Sequence, residues 1–98
     1  MTRTDLTPEI ASDLANLFAA LSDPTRVSII AMLVDGEFGV GQMVEKLGLT
    51  KSAVSHQLRG LRQMRIVRAR RDGKEVFYSV DDPHIIALFQ QGVRHVQE

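Results

Sequence analysis

The sequence predicts a mainly α-helical domain with one β-hairpin, in which four helices, two strands and a fifth helix follow one another. Apolar residues recur at three- and four-residue spacing in five segments, as they do on the buried side of amphipathic helices. The pair Asp72-Gly73, which is typical of tight hairpin turns, separates two short stretches of strand-like composition. Because 98 residues are too few for two independent cores, we expect a single domain over residues 1–98.

The first two helices are predicted from repeated capping signals. Thr7 precedes Pro8, and Asp23 precedes Pro24. An oxygen-bearing cap residue followed by proline is typical of a helix start. Gly36 is expected to end the second helix. The apolar stripe of the first helix comprises Ile10, Leu14, Leu17, Phe18 and Leu21, and that of the second comprises Val27, Ile30, Ala31 and Val34.

The next two helices predict a helix-turn-helix over about residues 40–64. The third helix covers about residues 40–47 and ends at Gly48, and Thr50 or Ser52 caps the fourth. Two short helices joined by a tight turn that contains glycine are typical of this DNA-binding motif. The residues expected to face the core are Val40, Met43, Val44 and Leu47 on the third helix and Val54, Leu58 and Leu61 on the fourth, with Met64 as a further candidate.

A hairpin wing and a fifth helix complete the predicted domain, which is therefore a winged helix-turn-helix. The two strands cover about residues 66–70 and 75–80, and the wing as a whole covers about 66–80. Asp82, followed by a proline, begins the last helix, which covers about residues 83–98. Its apolar residues are Ile85, Leu88, Phe89, Val93 and Val96.

Positive charge is concentrated in one quarter of the chain, although the formal net charge is zero. Residues 51–75 contain eight basic and two acidic residues, and residues 51–71 contain no acidic residue. Such a block is the electrostatic footprint of a surface that binds phosphates, which would repel acidic side chains. The alternative is a solvated basic helix in an unrelated small helical domain with a hairpin.

The outward face of the fourth helix carries short hydrogen-bonding side chains and an arginine, which suit base edges and phosphates in a DNA major groove. The wing adds basic residues that can lie along the sugar-phosphate backbone. We therefore predict that double-stranded DNA is a partner of this protein. The predicted DNA-contacting residues are Lys51, Ser52, Ser55, His56, Gln57, Arg59, Arg62, Arg70, Arg71 and Lys74.

Composition argues against several other functions. The chain has no cysteine, which excludes disulfides, thiolate metal sites and cysteine nucleophiles. Ser55 and His56 are adjacent but point in different directions on a helix, and no acid orients them, so we predict no catalytic site and no enzyme. No apolar run approaches the roughly 20 residues of a membrane span, and the first residues lack the apolar core of a signal peptide. We expect a cytoplasmic protein with neither a membrane partner nor a small-molecule substrate.

Three sequence runs resemble the ArsR/SmtB family of metal-sensing bacterial repressors. They are LSDPTR at residues 21–26, SAVSHQLRGL at 52–61 and RRDGKEVFY at 70–78. The resemblance extends from about residue 10 to residue 98. It implies a homodimeric winged-helix repressor in which the fourth helix is the recognition helix. It further implies that the metal-free dimer binds an operator and that a bound effector releases it.

The resemblance also implies which metal site this chain retains. Relatives that sense zinc through the fifth helix use the residue types found here as Asp82-x-His84 and His95-x-x-Glu98, at the same spacing. A site of the arsenic type needs cysteines, and Gly39 stands where zinc-sensing relatives carry a cysteine at the third helix. The implied ligands are therefore Asp82, His84, His95 and Glu98. The implied effector is zinc, with cobalt or nickel as other suitable ions.

Helical geometry indicates that two chains must share this site. His84 and His95 are eleven positions apart, which is about 16 Å along a helix, whereas zinc binds its ligands at about 2.0–2.2 Å. Two antiparallel copies of the helix would bring Asp82 and His84 of one chain to His95 and Glu98 of the other, with two equivalent sites per dimer. Two nitrogen and two oxygen donors suit tetrahedral zinc.

Each of these four residues also has a purely structural interpretation. Asp82 is a good helix cap without any metal, and the two histidines and Glu98 can be solvated polar residues. The alternative function is a repressor of the same fold that is constitutive or answers a non-metal signal, with the fifth helix serving only dimerisation. We expect the first and fifth helices to pack across a twofold axis, where Gly92 permits close approach.

Overall fold

The computed structural model describes residues 5–98, which form five helices and a three-stranded antiparallel sheet. Residues 1–4, at the start of the expected domain, lie outside the described range. The predicted winged helix-turn-helix is confirmed, since α3 and α4 form the helix-turn-helix and β2 and β3 form the wing. The elements are α1 (Pro8–Ala20), α2 (Pro24–Val34), β1 (Phe38–Gly39), α3 (Val40–Leu47), α4 (Lys51–Gln63), β2 (Val67–Asp72), β3 (Glu75–Val80) and α5 (Pro83–Gln97).

Side-chain caps begin four of the helices where the sequence predicts them. Thr7 and Asp23 each accept a hydrogen bond from the backbone N–H three residues later, at 3.1 and 3.0 Å. Thr50, rather than Ser52, caps α4, and Asp82 caps α5. Each cap satisfies a backbone donor that lacks a partner within the helix and stabilises the fold by about 1 kcal/mol.

The buried core is contributed mainly by α2, α4 and the strands, with Met43 from α3. The predicted core residues Val54, Leu58 and Leu61 of α4 are all buried. Met64 is 39% exposed, because α4 ends at Gln63 and Met64 is its C-terminal cap. The buried residues are Ala20, Ile29, Ile30, Leu33, Met43, Val54, Leu58, Leu61, Ile66, Val67, Val80 and Ile85.

The buried face of α2 differs from the predicted one. Of the predicted stripe only Ile30 is fully buried, and it is joined by Ile29 and Leu33, which the prediction omitted. The other predicted members are half-buried. Since α2 is apolar around most of its circumference, periodicity alone does not identify the side that packs against the core.

The sheet contains a strand that the sequence analysis did not predict. β1 pairs with β3 through Phe38 opposite Tyr78 and Gly39 opposite Phe77, which makes the strand order β1-β3-β2. Two residues are too few to display the alternation by which strands are recognised. The pairing attaches the segment between α2 and α3 to the wing.

The wing turn is Gly73-Lys74, one residue further along the chain than the Asp72-Gly73 pair predicted. Asp72 pairs with Glu75 at the end of β2, so Gly73 and Lys74 form the two-residue turn. Gly73 has a φ of 64°, and glycine at the first central position is typical of type II′ hairpin turns. Asp72 was expected within the turn, but it belongs to the ladder.

The apolar side of α1 is not covered within one protomer. Ile10, Leu14 and Phe18 are 46%, 42% and 52% exposed, and Val96 near the end of α5 is 79% exposed. Monomeric proteins rarely expose a contiguous row of large apolar side chains. The two helices predicted to pack across a twofold axis are thus helices that present apolar surface to solvent in the single chain.

No single helix within residues 5–98 is both long and apolar enough to cross a membrane. The consecutive helices α1 and α2 reach the necessary length and composition only when taken together, and they are bent by 87° at the break between them.

Candidate DNA interface and metal-binding helix

The helix α4 turns a polar face to solvent because its opposite face is anchored in the core. Val54, Leu58 and Leu61 are at most 1% exposed. Apart from Ala53 and Gly60, the remaining positions of the first three turns carry polar or basic side chains. Of the DNA contacts predicted on α4, Lys51, Ser52, His56, Arg59 and Arg62 are exposed, and Ser55 and Gln57 are half-buried.

A left-handed residue sets the direction of α4 relative to α3. Gly48 has a φ of 67°, and its N–H donates to the carbonyl of Val44 at 3.0 Å, which ends α3. Glycine adopts this conformation without the steric cost that a Cβ introduces. Thr50 then caps α4 two residues later. The turn is therefore tight enough to hold α4 in one orientation with its polar face outward.

The wing places further basic side chains on the surface. Arg71, near the end of β2, and Lys74, in the hairpin turn, are both exposed. Within the hairpin, Arg68 donates from Nε to the Ser79 Oγ on the neighbouring strand at 3.2 Å. Arg71 and Lys74 thus lie at the tip of the wing, where they can meet a phosphate backbone.

Arg70 differs from the other predicted DNA contacts because a carboxylate of the protein already binds it. Its Nε donates to Glu37 Oε2 at 2.9 Å and its Nη2 donates to Glu37 Oε1 at 2.7 Å. The guanidinium also lies 5.2 Å from the centre of the Phe77 ring, within the range of a cation–π contact. This two-point pair joins β2 to the residue that precedes β1.

Glu37 is the residue of this region that sequence reasoning missed. The direct hydrogen bonds from Arg70 lower the pKa of the Glu37 carboxyl below its ordinary value of 4.5, and the same pair raises the pKa of Arg70. Glu37 and Arg70 are 33 positions apart in sequence. Only the pairing of the unpredicted strand β1 with β3 brings them together, so no local sequence signal could have revealed the contact.

The variant Glu37→Gln should lower thermal stability near neutral pH and leave it unchanged in acid. A carboxyl whose pKa is depressed by folding contributes stability above its unfolded pKa and loses that contribution as the pH falls through the folded pKa. Melting curves of the native protein and the variant should therefore differ at about pH 7 and converge well below 4.5. Glu45→Gln, at an exposed residue of α3, is the matched control, and an equal shift in that control would contradict the prediction.

Two of the four predicted metal ligands, Asp82 and His84, lie together at the start of α5. Asp82 Oδ1 caps the helix by accepting hydrogen bonds from the N–H groups of His84 at 2.7 Å and Ile85 at 3.1 Å. The Nδ1 atom of His84 lies 3.4 Å from the same oxygen, and the imidazole is 96% exposed. All hydrogen bonds of the Asp82 carboxylate to residues 5–98 use Oδ1, which leaves Oδ2 as a donor for a metal.

The other two predicted ligands lie at the other end of the helix. His95 and Glu98 are exposed in and after the last turn of α5. In the described part of one protomer, no three metal-binding side chains come close enough to hold an ion. The shared site stays a prediction. The nitrogen and oxygen donors present are of the types that zinc accepts.

Comparison with known proteins finds similar transcriptional regulators over most of the chain. Residues 23–69 match the family described as "Bacterial regulatory protein, arsR family". The chain is 40% identical over 88 residues to the transcriptional repressor SmtB homolog of Synechocystis, covering 90% of this chain and 67% of that protein. It is 36% identical to the cadmium resistance transcriptional regulatory protein CadC homolog of Staphylococcus aureus, covering 98% and 80%.

A solved structure agrees in fold. The homodimeric winged helix-turn-helix DNA-binding domain of a possible ArsR-family regulator from Mycobacterium bovis superposes with a TM-score of 0.89. The match covers 98% of this chain and 89% of that one at 24% identity. The sequence matches identify the chain as a member of the ArsR family of bacterial regulatory proteins, which are transcriptional regulators and not enzymes.

Proposed function

We propose that the protein is a cytoplasmic, homodimeric repressor that binds operator DNA when metal-free and releases it when zinc or a similar divalent ion binds at α5. The observation that carries the DNA-binding part is the outward face of α4. This face combines exposed hydrogen-bonding groups and arginines, and the chain has no acidic residue from position 51 to 71. As the second helix of a tight helix-turn-helix, α4 is suited to insertion into a major groove.

The DNA-contacting groups divide into two roles. On α4, Ser55, His56 and Gln57 have the donors and acceptors needed to read base edges. Positively charged side chains bind the phosphates, which fixes the register and supplies most of the salt-dependent affinity. These phosphate contacts come from Lys51, Arg59 and Arg62 on α4 and from Arg71 and Lys74 on the wing. Ser52, at the start of α4, suits either role. Arg70 is a further proposed contact on the wing, where it is held by its pairing with Glu37.

The dimer follows from the uncovered apolar sides of α1 and α5. Covering them with a second copy buries Ile10, Leu14 and Phe18 and spaces two recognition helices for successive major grooves. The related Mycobacterium bovis domain is itself homodimeric. A twofold axis also brings the start of one α5 towards the end of the other, as a shared metal site requires.

Four residues in each half of the dimer interface would hold the effector. They are Asp82 and His84 of one protomer with His95 and Glu98 of the partner subunit. A bound divalent ion supplies a cross-link between the two chains. The protein's own contribution is to hold these donors at the ends of α5, so that ion binding favours one relative orientation of the protomers. Effector and DNA are then coupled through that orientation.

A zinc titration of the purified protein on its own promoter fragment tests the proposal as a whole. Zinc should lower operator affinity by about five- to 150-fold, the usual range of allosteric coupling. A chelator should restore the affinity. Equal affinity with zinc and with chelator would select the alternative, a repressor of the same fold that is constitutive or answers another signal.

The variants Ser55→Ala and His56→Ala should reduce sequence discrimination rather than overall binding. Each loses a base contact, and a good contact of this kind is worth roughly 1–3 kcal/mol against the wrong base. The ratio of operator affinity to random-duplex affinity should fall about tenfold or more, while random-duplex affinity changes little. Arg94→Gln on α5 serves as the control. An unchanged ratio in both variants would show that α4 does not read the sequence.

A further inference from the structure

A small cavity of about 220 Å³ lies beside α4 and is lined by arginine on two sides. Its wall includes Arg26 from α2 and His56, Gln57, Arg59 and Gly60 from α4. No carboxylate of the described residues lines it. Two guanidinium groups without a lining acid make this cavity attractive to an anion.

Arg26 has a hydrogen-bonding capacity that the protein does not use. Its Nε is shielded from solvent and has no partner within residues 5–98. The nearest carboxylate oxygen, Asp23 Oδ2, is 4.0 Å from Nε. That oxygen instead accepts the backbone N–H of Arg26 at 3.0 Å, as the cap of α2. Shielded donors without a partner are uncommon and destabilising, so each calls for an explanation.

Gly60 leaves the α4 side of the cavity open. It lies within the helix, where glycine is less favourable than alanine. A Cβ at this position would meet nothing within 4 Å, so packing inside the protomer does not account for a glycine here. Glycine does allow a ligand to approach the helix backbone closely.

We propose that Arg26 and Arg59 together bind one backbone phosphate of the operator on the flank of α4. This inference rests on the proposed function. A DNA phosphate is favoured over a carboxylate of a protein partner because the cavity residues His56, Gln57 and Arg59 belong to the proposed DNA-contacting face of α4. Phosphate oxygens accept from the guanidinium fork, and the exposed 31% of the Arg26 side chain can reach a phosphate in the cavity.

The start of α2 fixes the position of Arg26, the last residue of the LSDPTR run. The Asp23 cap and the proline at the first helical position begin α2 at a defined residue. Arg26 is therefore held at the start of that helix, with 31% of its side chain exposed beside α4. In this arrangement α2 contributes a DNA contact from outside the helix-turn-helix and the wing.

The variants Arg26→Gln and Arg26→Lys test the proposal in the full chain. Operator and random duplexes would be titrated over a range of salt concentrations. Arg26→Gln should weaken both complexes about tenfold and lower the slope of log affinity against log salt by about one, as expected for one lost phosphate contact. Arg26→Lys should keep the slope and lose less affinity, because it retains the charge without the fork. Arg94→Gln should leave both quantities unchanged.

Four outcomes bear on the proposed contact between Arg26 and a DNA phosphate. An unchanged slope in Arg26→Gln, while the native protein binds DNA, overturns the Arg26 contact and leaves the proposed function standing. A shift of the monomer–dimer equilibrium with an unchanged slope assigns the cavity to a carboxylate of the partner subunit and also overturns it. Failure of the native protein to bind any duplex overturns both proposals. If Arg26→Gln does not fold, the ¹⁵N–¹H signal of the native Arg26 Nε decides. A shift on adding operator duplex supports the contact, and no shift refutes it.

Discussion

Replacing Phe18 with glutamate should convert the protein to monomers and lower operator affinity by at least about a hundredfold. Phe18 is 52% exposed on the uncovered side of α1, near the C-terminal end of the helix. In a dimer, a charge at this position would have to be buried without a partner, which costs several kcal/mol. A monomer also loses the gain from two recognition helices that bind one operator, typically a factor of about 10²–10⁴.

Sedimentation equilibrium and operator titration measure the two effects in the same samples. Asn16→Glu is the matched control, since Asn16 is exposed on the other side of α1 and receives the same charge change. A Phe18→Glu protein that remained dimeric would exclude this face of α1 from the interface. A monomer with unchanged operator affinity would mean that one recognition helix is sufficient.

The variants His84→Ala and His95→Ala should each abolish the zinc response while leaving metal-free operator binding nearly intact. Both side chains are exposed and outside the core, so their removal should not disturb the fold or the face of α4. The five- to 150-fold loss of operator affinity on adding zinc, expected for the native protein, should disappear. Gln90→Ala, at another exposed residue of α5, should retain it. A normal zinc response in both histidine variants would remove α5 from the effector site.

A mixed dimer tests whether the two chains share each site. With His84→Ala in one chain and His95→Ala in the other, both losses fall in one shared site, and the second site keeps all four ligands. One zinc per dimer should therefore bind as tightly as in the native protein. If both substitutions in the same chain preserved one intact site instead, the ligands would belong to a single protomer.

The features of the fold that depend on local chemistry could be predicted from the sequence. The caps Thr7, Asp23 and Asp82 act on the first turn of their own helices, so a few neighbouring residues are enough to identify them. The polar face of α4 was likewise predictable, because its apolar stripe has the regular spacing of a helix packed on one side only.

Features that depend on contacts between distant segments could not be predicted. The buried side of α2 is selected by the elements that pack on it and not by its own pattern. The ion pair of Glu37 with Arg70 requires β1, a strand of two residues that becomes visible only through its partner β3. Arg26 stood within a recognised motif, yet its proximity to Arg59 is a property of how α2 and α4 pack.

The exposure of His84 has a consequence for how such a regulator changes over evolutionary time. With 96% of the imidazole in solvent, the residue contributes almost nothing to the core, and exposed substitutions of this kind usually alter stability by less than about 0.5 kcal/mol. Descendants of this chain can therefore lose or exchange the proposed ligand at His84 without repacking the protomer. The signal to which the repressor responds can drift independently of the operator that it reads.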